Sequence, residues 1–341
     1  MTSTDLPAPS TVLRMSDLGE LIASVPVLIG FRPCESLVLI ALGGASRRRI
    51  GLTLRIDLPP PEHVHDIAAH AVACLQADDV DGAVVVVFGA AGGTGPARPD
   101  VAAAAVAALE DQGIRVHAAA WAERAEAGRR WACFDACGCG GLLPDPAATE
   151  AAATAVVEGK VVRTDREALR ALVEPVDATT IRRRERRVIE AADEALAAPE
   201  PGVDGDAIHL AVVRAALADT ATGRLELDDE RAVALAVALA RPAVRDAALA
   251  MSDPDSPDGG AAETLWAALC RELPDPEAAE AAALLAASAL MRGDGALANV
   301  ALDRAEHSWP GHRLTGLLRS VATCGMRPSQ LRACLLDGPG S

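Results

Sequence analysis

ESLVLIALGGASRRRIGLTLRIDLP, residues 35–59, holds two different apolar patterns on either side of a short polar turn. Residues 35–42 form an unbroken apolar run of strand length, the pattern of a strand covered on both faces. Residues 49–59 alternate, with Ile50, Leu52, Leu54, Ile56 and Leu58 set against polar or small partners, the pattern of a strand with one covered face. The turn between them is short, so the pair is expected to be an antiparallel hairpin.

Working outward, the preceding segment 16–25 opens with Ser16 or Asp17 as a cap and Glu20 in capping-box position, a helix expected to stop before Pro26. After Pro59–Pro61 come a helix over about 62–77, a second buried strand at 81–89, a helix at 100–113 capped by Asp100, and a strand at 114–121. Strands alternating with helices imply an α/β sandwich with a mixed sheet, its parallel part made by the crossovers between 49 and 121. From about 148 onward no strand pattern recurs, and helical segments alternate with Pro, Gly and Asp clusters. Among the clusters, 251–260 reads as an exposed connection. The expected organisation is a loose N-terminus over 1–11, an α/β domain over 12–146 and an all-helical domain over 147–336. Within the last, 281–320 carries a tetratricopeptide-like helix pair. Ala286, Ala298, Leu302 and Ala305 provide close approach, Gly293-Asp294-Gly295 the turn, and Pro310 the stop.

The chain has 341 residues, enough for about two domains, and half of them are hydrophobic, mostly Ala, Val and Leu. With three Phe, four Trp and no Tyr, the cores must be built from small side chains on close-packed helices. A net charge of −16 repels phosphate backbones and argues against nucleic-acid binding. IRRRERR at 181–187 is the local exception and reads as an exposed helix face balanced by acidic neighbours. No apolar run is long enough to span a bilayer, and the N-terminus has no signal pattern. The expectation is a cytoplasmic protein with no membrane partner, whose eight cysteines stay reduced. Cys34, Cys74, Cys270, Cys324 and Cys334 lie among apolar neighbours and read as small buried hydrophobes.

Two groups could carry chemistry. RRWACFDACGCGGLLPDP at 129–146 places Cys133, Cys137 and Cys139 within seven residues. Structural zinc takes four N/S ligands; three are present, with His117 the nearest fourth candidate, so zinc is the one cofactor the sequence admits. A thiol–disulfide pair is the second reading, with Arg129 and Arg130 close in sequence to tune it. The third, and the favoured one, is a glycine-rich turn crossing from the α/β part to the helices. The other group stands at the lip of the 35–42 strand: Arg32, Glu35 and Ser36, with Arg55 and Asp57 two apart on one face of the next strand. They form a small-ligand site or, more simply, a set of turn contacts and an ion pair. GAAGGTGP at 89–96 follows a strand as phosphate loops do but lacks the Lys-Ser/Thr of a Walker loop. His63, His65 and His70 read as a solvated helix start. No Ser-His-Asp set, H-E-x-x-H, kinase set or EF-hand loop occurs, so the residues argue against an enzyme.

Four passages together resemble a family, the actinobacterial domain of unknown function 4192 (DUF4192). They are VPVLIGFRPCESLVLIAL at 25–42, RIDLP at 55–59, the Trp131 and cysteine passage, and GDGALANVALDRAEHSWPGHRLTGLL at 293–318. The resemblance implies an α/β part followed by helices and assigns no activity. The cysteine passage departs from it: similar proteins carry adjacent cysteines followed by Pro and Gly, where this chain has C-x3-C-x-C. The leading expectation is a non-catalytic protein that binds a protein partner or assembles with itself. A ligand-binding protein or enzyme at the sheet edge, and a zinc- or thiol-dependent sensor, are the alternatives.

Overall fold

The computed structural model describes residues 17–44, 49–75, 80–91, 95–135, 137–157, 162–197, 205–324 and 326–336. Contacts divide the chain into two compact units, Met1–Arg166 and Glu167–Ser341.

The first unit is built on one mixed sheet. Strands β1 (Ser36–Gly43) and β2 (Arg49–Asp57) form the expected antiparallel hairpin, with Leu39 opposite Leu54. Strand β3 (Val80–Phe88) lies antiparallel on the other side of β1, and β4 (Arg115–Ala122) lies parallel to β3. Two further strands, β5 (Arg130–Cys133) and β6 (Gly140–Leu142), extend the sheet, giving the order β2-β1-β3-β4-β5-β6. The pleat sends alternate residues to opposite faces. Leu37, Leu39, Val85, Val87, Ala119 and Trp121 face helices α2 (Val64–Leu75) and α3 (Pro99–Asp111) in one buried cluster. On the other face Val38, Ile40, Val84, Val86 and Phe88 are also buried. Helix α1 (Leu18–Ile29) covers that face, and its Gly19 lies so close to the Trp131 indole that a Cβ there would sit 3.0 Å from Nε1. Removing one fully buried leucine of β1, such as Leu39, is of the kind that costs about 2–5 kcal/mol.

Three local expectations are corrected. Helix α1 does not stop at Pro26 but runs to Ile29, with a left-handed Gly30 as its end. Proline removes one ladder bond, and the buried side chains of Val25 and Ile29 on either side hold the helix together. Helix α3 is not capped by Asp100: Arg98 occupies the cap position at φ 51°, and Asp100 pairs with the Arg98 guanidinium at 2.8 Å. The cysteine passage is not a crossing to the helices, because it turns back on itself as the β5–β6 hairpin. Helices α4 (Glu150–Val157) and α5 (Arg166–Arg170) follow.

The second unit is helical, and none of its described residues forms a strand. It comprises α6 (Ala178–Ala197), α7 (Gly205–Ala221), α8 (Asp229–Leu239), α9 (Pro242–Met251), α10 (Gly259–Glu272), α11 (Ala278–Arg292), α12 (Gly295–Ser308), α13 (Arg313–Thr323) and α14 (Pro328–Leu336). Helix α11 is its centre, with residues Ala278 to Ala289 buried without interruption. It pairs with α12 through a left-handed Gly293 and the Asp294 cap, which accepts from Leu297 N. Ala286, Ala298, Leu302 and Ala305 are all fully buried. The 251–260 segment is not wholly exposed: Ser252 is buried and accepts a hydrogen bond of 2.9 Å from Trp266 Nε1. No described helix is long and apolar enough to cross a membrane.

The basic run 181–187 also departs from expectation. Arg184 is buried on α6, one turn from the buried Val188. Its guanidinium donates to Asp229 at 3.0 Å, to the Leu227 carbonyl at 2.7 Å, and to Glu272. Arg183 and Arg187 also pair with Asp229. The hydrogen bond from Arg183, with Arg184 behind it, holds the Asp229 carboxyl well below the usual carboxylate range. A depressed native pKa contributes stability above the unfolded-state value, and that contribution is lost as pH falls through the native value. Asp229→Asn should therefore destabilise the chain by about 2 kcal/mol at neutral pH. The deficit relative to the parent should narrow as pH drops below about 4, in urea denaturation at the two pH values.

Candidate functional site

The β5–β6 hairpin is fixed by its neighbours before any cysteine is considered. Cys133 pairs with Ala120 of β4, and Trp131 with Ala122 and with Gly141. Phe134 packs against the core on the helix-covered side, and its amide donates to Ala119 O at 2.9 Å. Gly140 is required, because a Cβ there would lie 2.8 Å from the Trp131 carbonyl. Gly138, at φ 70°, takes the left-handed backbone that reverses the chain. The reversal brings Cys133 N to Cys139 O at 2.9 Å.

This turn gathers the three cysteines. The Sγ atoms of Cys133, Cys137 and Cys139 all lie within 4.8 Å of one another. The Cys139 amide donates to Cys137 Sγ at 3.3 Å. Cys133 is half-buried, while Cys137 and Cys139 are exposed. Their acidities diverge. Burial, followed by the Cys137 sulfur, pushes the Cys133 thiol up to about 12. Hydrogen bonds from the Cys139 thiol and amide lower the pKa of Cys137. The same pairing with Cys137 raises Cys139. Cys137 is thus the first of the three to ionise.

His117 does not join the sulfurs. It lies at the register shift between β3 and β4, and its imidazole fills the space beside Gly82 of β3. Arg129 and Arg130, adjacent in sequence, are also turned elsewhere. Arg129 pairs with Glu126 at 3.2 Å and Glu123 at 3.7 Å, and the Arg130 guanidinium stands 5.9 Å from the centre of the Trp121 ring. Among the described residues no fourth His, Cys, Asp or Glu completes the cluster. Three sulfurs without a nitrogen or oxygen donor are a soft ligand set, suited to a thiophilic ion.

The polar residues at the other end of the sheet behave differently. Arg55 donates from Nε to Ser36 Oγ at 2.8 Å and from Nη2 to the Cys34 carbonyl at 3.3 Å, and pairs with Asp57 at 2.6 Å. Its guanidinium lies 5.7 Å from the centre of the Phe31 ring, and Arg166 adds a second cation to Asp57 at 3.6 Å. Ser36 is fully buried and donates to the Cys34 carbonyl at 2.6 Å. Glu35, at φ 42°, is held in the left-handed region, and its carboxylate accepts from Ala90 N at 3.0 Å just past β3. Arg32 is exposed and stands outside this network. Ser36, Arg55 and Asp57 therefore tie the strand ends together, and Glu35 fastens the loop after β3. Ser36 and Arg55 direct their donors to the protein itself, while the Asp57 side chain stays 70% exposed.

Sequence reasoning missed an open cavity of about 380 Å³ lined by Gly95, Pro96, Trp121, Arg130, Trp131 and Leu142, among others. Trp121 anchors its wall by donating from Nε1 to the Gly89 carbonyl at 2.9 Å. The only sequence signal was the glycine-rich loop at 89–96, whose residues 92–94 lie outside the described residues. His63, His65 and His70 are exposed, as a solvated helix start requires. Of the scattered cysteines only Cys270 is fully buried, which pushes its thiol up to about 12. Cys34, Cys324 and Cys334 are exposed, contrary to expectation, because their helix and loop faces point to solvent.

The order of acidities has a direct readout. Under limiting iodoacetamide, Cys137 should be alkylated first within the cluster and Cys133 last, measured by peptide mass spectrometry. Equal labelling of the three would contradict the hydrogen-bond pattern. Among known proteins, a family model described as "Domain of unknown function (DUF4192)" matches residues 19–329. No curated protein and no solved structure matches the chain.

Proposed function

The chain belongs to the DUF4192 family, and from its geometry we propose that it is a thiol-based ion-binding module centred on Cys133, Cys137 and Cys139. The observation that carries this reading is the convergence of three sulfurs within 4.8 Å on one turn. The turn is held by a core phenylalanine, a left-handed glycine and strand pairing on both sides, so the sulfurs meet without a large rearrangement. Ordering side chains on binding costs free energy, and a turn already folded keeps that cost low. Metal binding favours the deprotonated thiol, and Cys137 is the natural first ligand. A reducing compartment such as the cytoplasm would keep the sulfurs free.

The test is a cobalt(II) and zinc(II) titration of the reduced full-length chain. One equivalent should bind, with thiolate-to-cobalt charge-transfer absorption, and Cys137→Ser and Cys139→Ser should each abolish it while the melting temperature of the ion-free protein is unchanged. Absence of any stoichiometric ion would reject the reading.

A second reading concerns the helical unit. The small-residue pairing of α11 and α12, with its turn at Gly293 and Asp294, fits a tetratricopeptide-like hairpin of the kind that stacks on further helices. Beyond it Trp309 and Leu317 are 45% and 58% exposed. We propose this surface for a second copy of the chain. With a net charge of −16, two copies repel each other, so association should strengthen as salt screens the charge. Light scattering at low and high ionic strength should show a mass that rises with both salt and protein concentration; a strict monomer throughout would remove this reading.

A further inference from the structure

Among the described residues the cluster has no fourth donor, and the shortage narrows the ion it suits. Zinc prefers four ligands, and in this turn one position would fall to water. Charge narrows the choice further. Three thiolates around a divalent ion leave one negative charge, and around a monovalent ion two. Asp135, another anion, acts on both Cys137 and Cys139. Of the two cations nearest in sequence, Arg129 is paired with Glu123 and Glu126, and the Arg130 guanidinium is placed over the Trp121 ring. Among the described residues, the neighbouring charge that these interactions bring to the turn is thus negative and does not offset an anionic complex. A trivalent centre on three sulfurs is neutral. If it also carries a lone pair, that pair fills the remaining position and three ligands complete the shell.

Resting on the reading of this turn as an ion site, we infer that Cys133, Cys137 and Cys139 take up trivalent arsenic, presented as neutral arsenous acid. Three S–H and three As–O bonds are exchanged for three As–S and three O–H bonds. Three water molecules leave, and arsenic remains trivalent, so neither oxidant nor reductant takes part. The exposed Cys137 and Cys139 can form the first two bonds, and the half-buried Cys133, bonded through its amide to Cys139 O, closes the third.

The experiment titrates sodium arsenite into the reduced full-length chain under inert gas, counting free thiols and measuring intact mass. One arsenic should bind per chain, protecting three of the eight thiols, and should displace cobalt(II) or zinc(II) from the site. Cys34→Ser and Cys324→Ser should leave this unchanged, and Cys133→Ser should lose the one-to-one complex. Thiol protection in the unaltered chain needs no variant, so a variant that fails to fold does not obscure the result. A divalent ion held at one equivalent that arsenite cannot displace would overturn the inference and leave the ion site standing. Binding of neither would overturn both.

Discussion

Strand β1 has no face to give to water. Its residues from Ser36 to Ala41 are buried on both sides, so the hairpin that opens the sheet cannot persist until apolar layers close over both surfaces. One layer is supplied by α2 and α3, which connect β2 to β3 and β3 to β4 and pack with Leu37, Leu39 and Val85. The other includes α1, whose Gly19 presses on Trp131. This dependence reaches the cysteine turn. Trp131 can meet α1 only if β5 pairs with β4 in the observed register, and that register sets Cys133 against Ala120. The placement of the sulfurs is therefore a by-product of how the sheet buries its central strand.

The two polar groups show how similar residue types divide between structural and chemical duty. Arg55, Ser36 and Asp57 satisfy one another and the Cys34 carbonyl, so the cost of burying Ser36 is met within the fold. The cysteines do not meet such demands. Two of the three are exposed, and the hydrogen bonds to the Cys137 sulfur, from the Cys139 thiol and amide, come from within the cluster itself. Donor atoms that converge without being needed for folding are the ones free to bind something else.

Much of this fold was legible because apolar period and burial agree. The continuous run of β1, the alternation of β2, the valines of β3 and the helices after 148 all follow from patterns that span enough residues to be distinctive. Strands β5 and β6 were not legible. They hold four and three residues, and arginine, glycine and cysteine dominate them, so no periodicity develops. The mixed sheet was expected, but its outer two strands were hidden inside what reads as a turn. Pro26 misled because a proline marks a helix end only when packing does not outweigh the lost bond. Arg184 looked like one of several exposed cations, and only the facing helices reveal Asp229 and Glu272 as its partners. The cysteines were visible from their spacing alone. Which of them meet, and that His117 stays away, depends on the pleat of β4 and on Gly82 beside it.

Cys133 is the last residue of β5, and Cys139 immediately precedes β6. Any single atom that bridges these sulfurs also staples the outermost strand to its neighbour at the point where the hairpin opens. Occupancy of the turn and attachment of β6 are then one variable. The margin of the sheet, where Gly140 to Leu142 lie exposed, would stiffen or fray according to what the sulfurs hold.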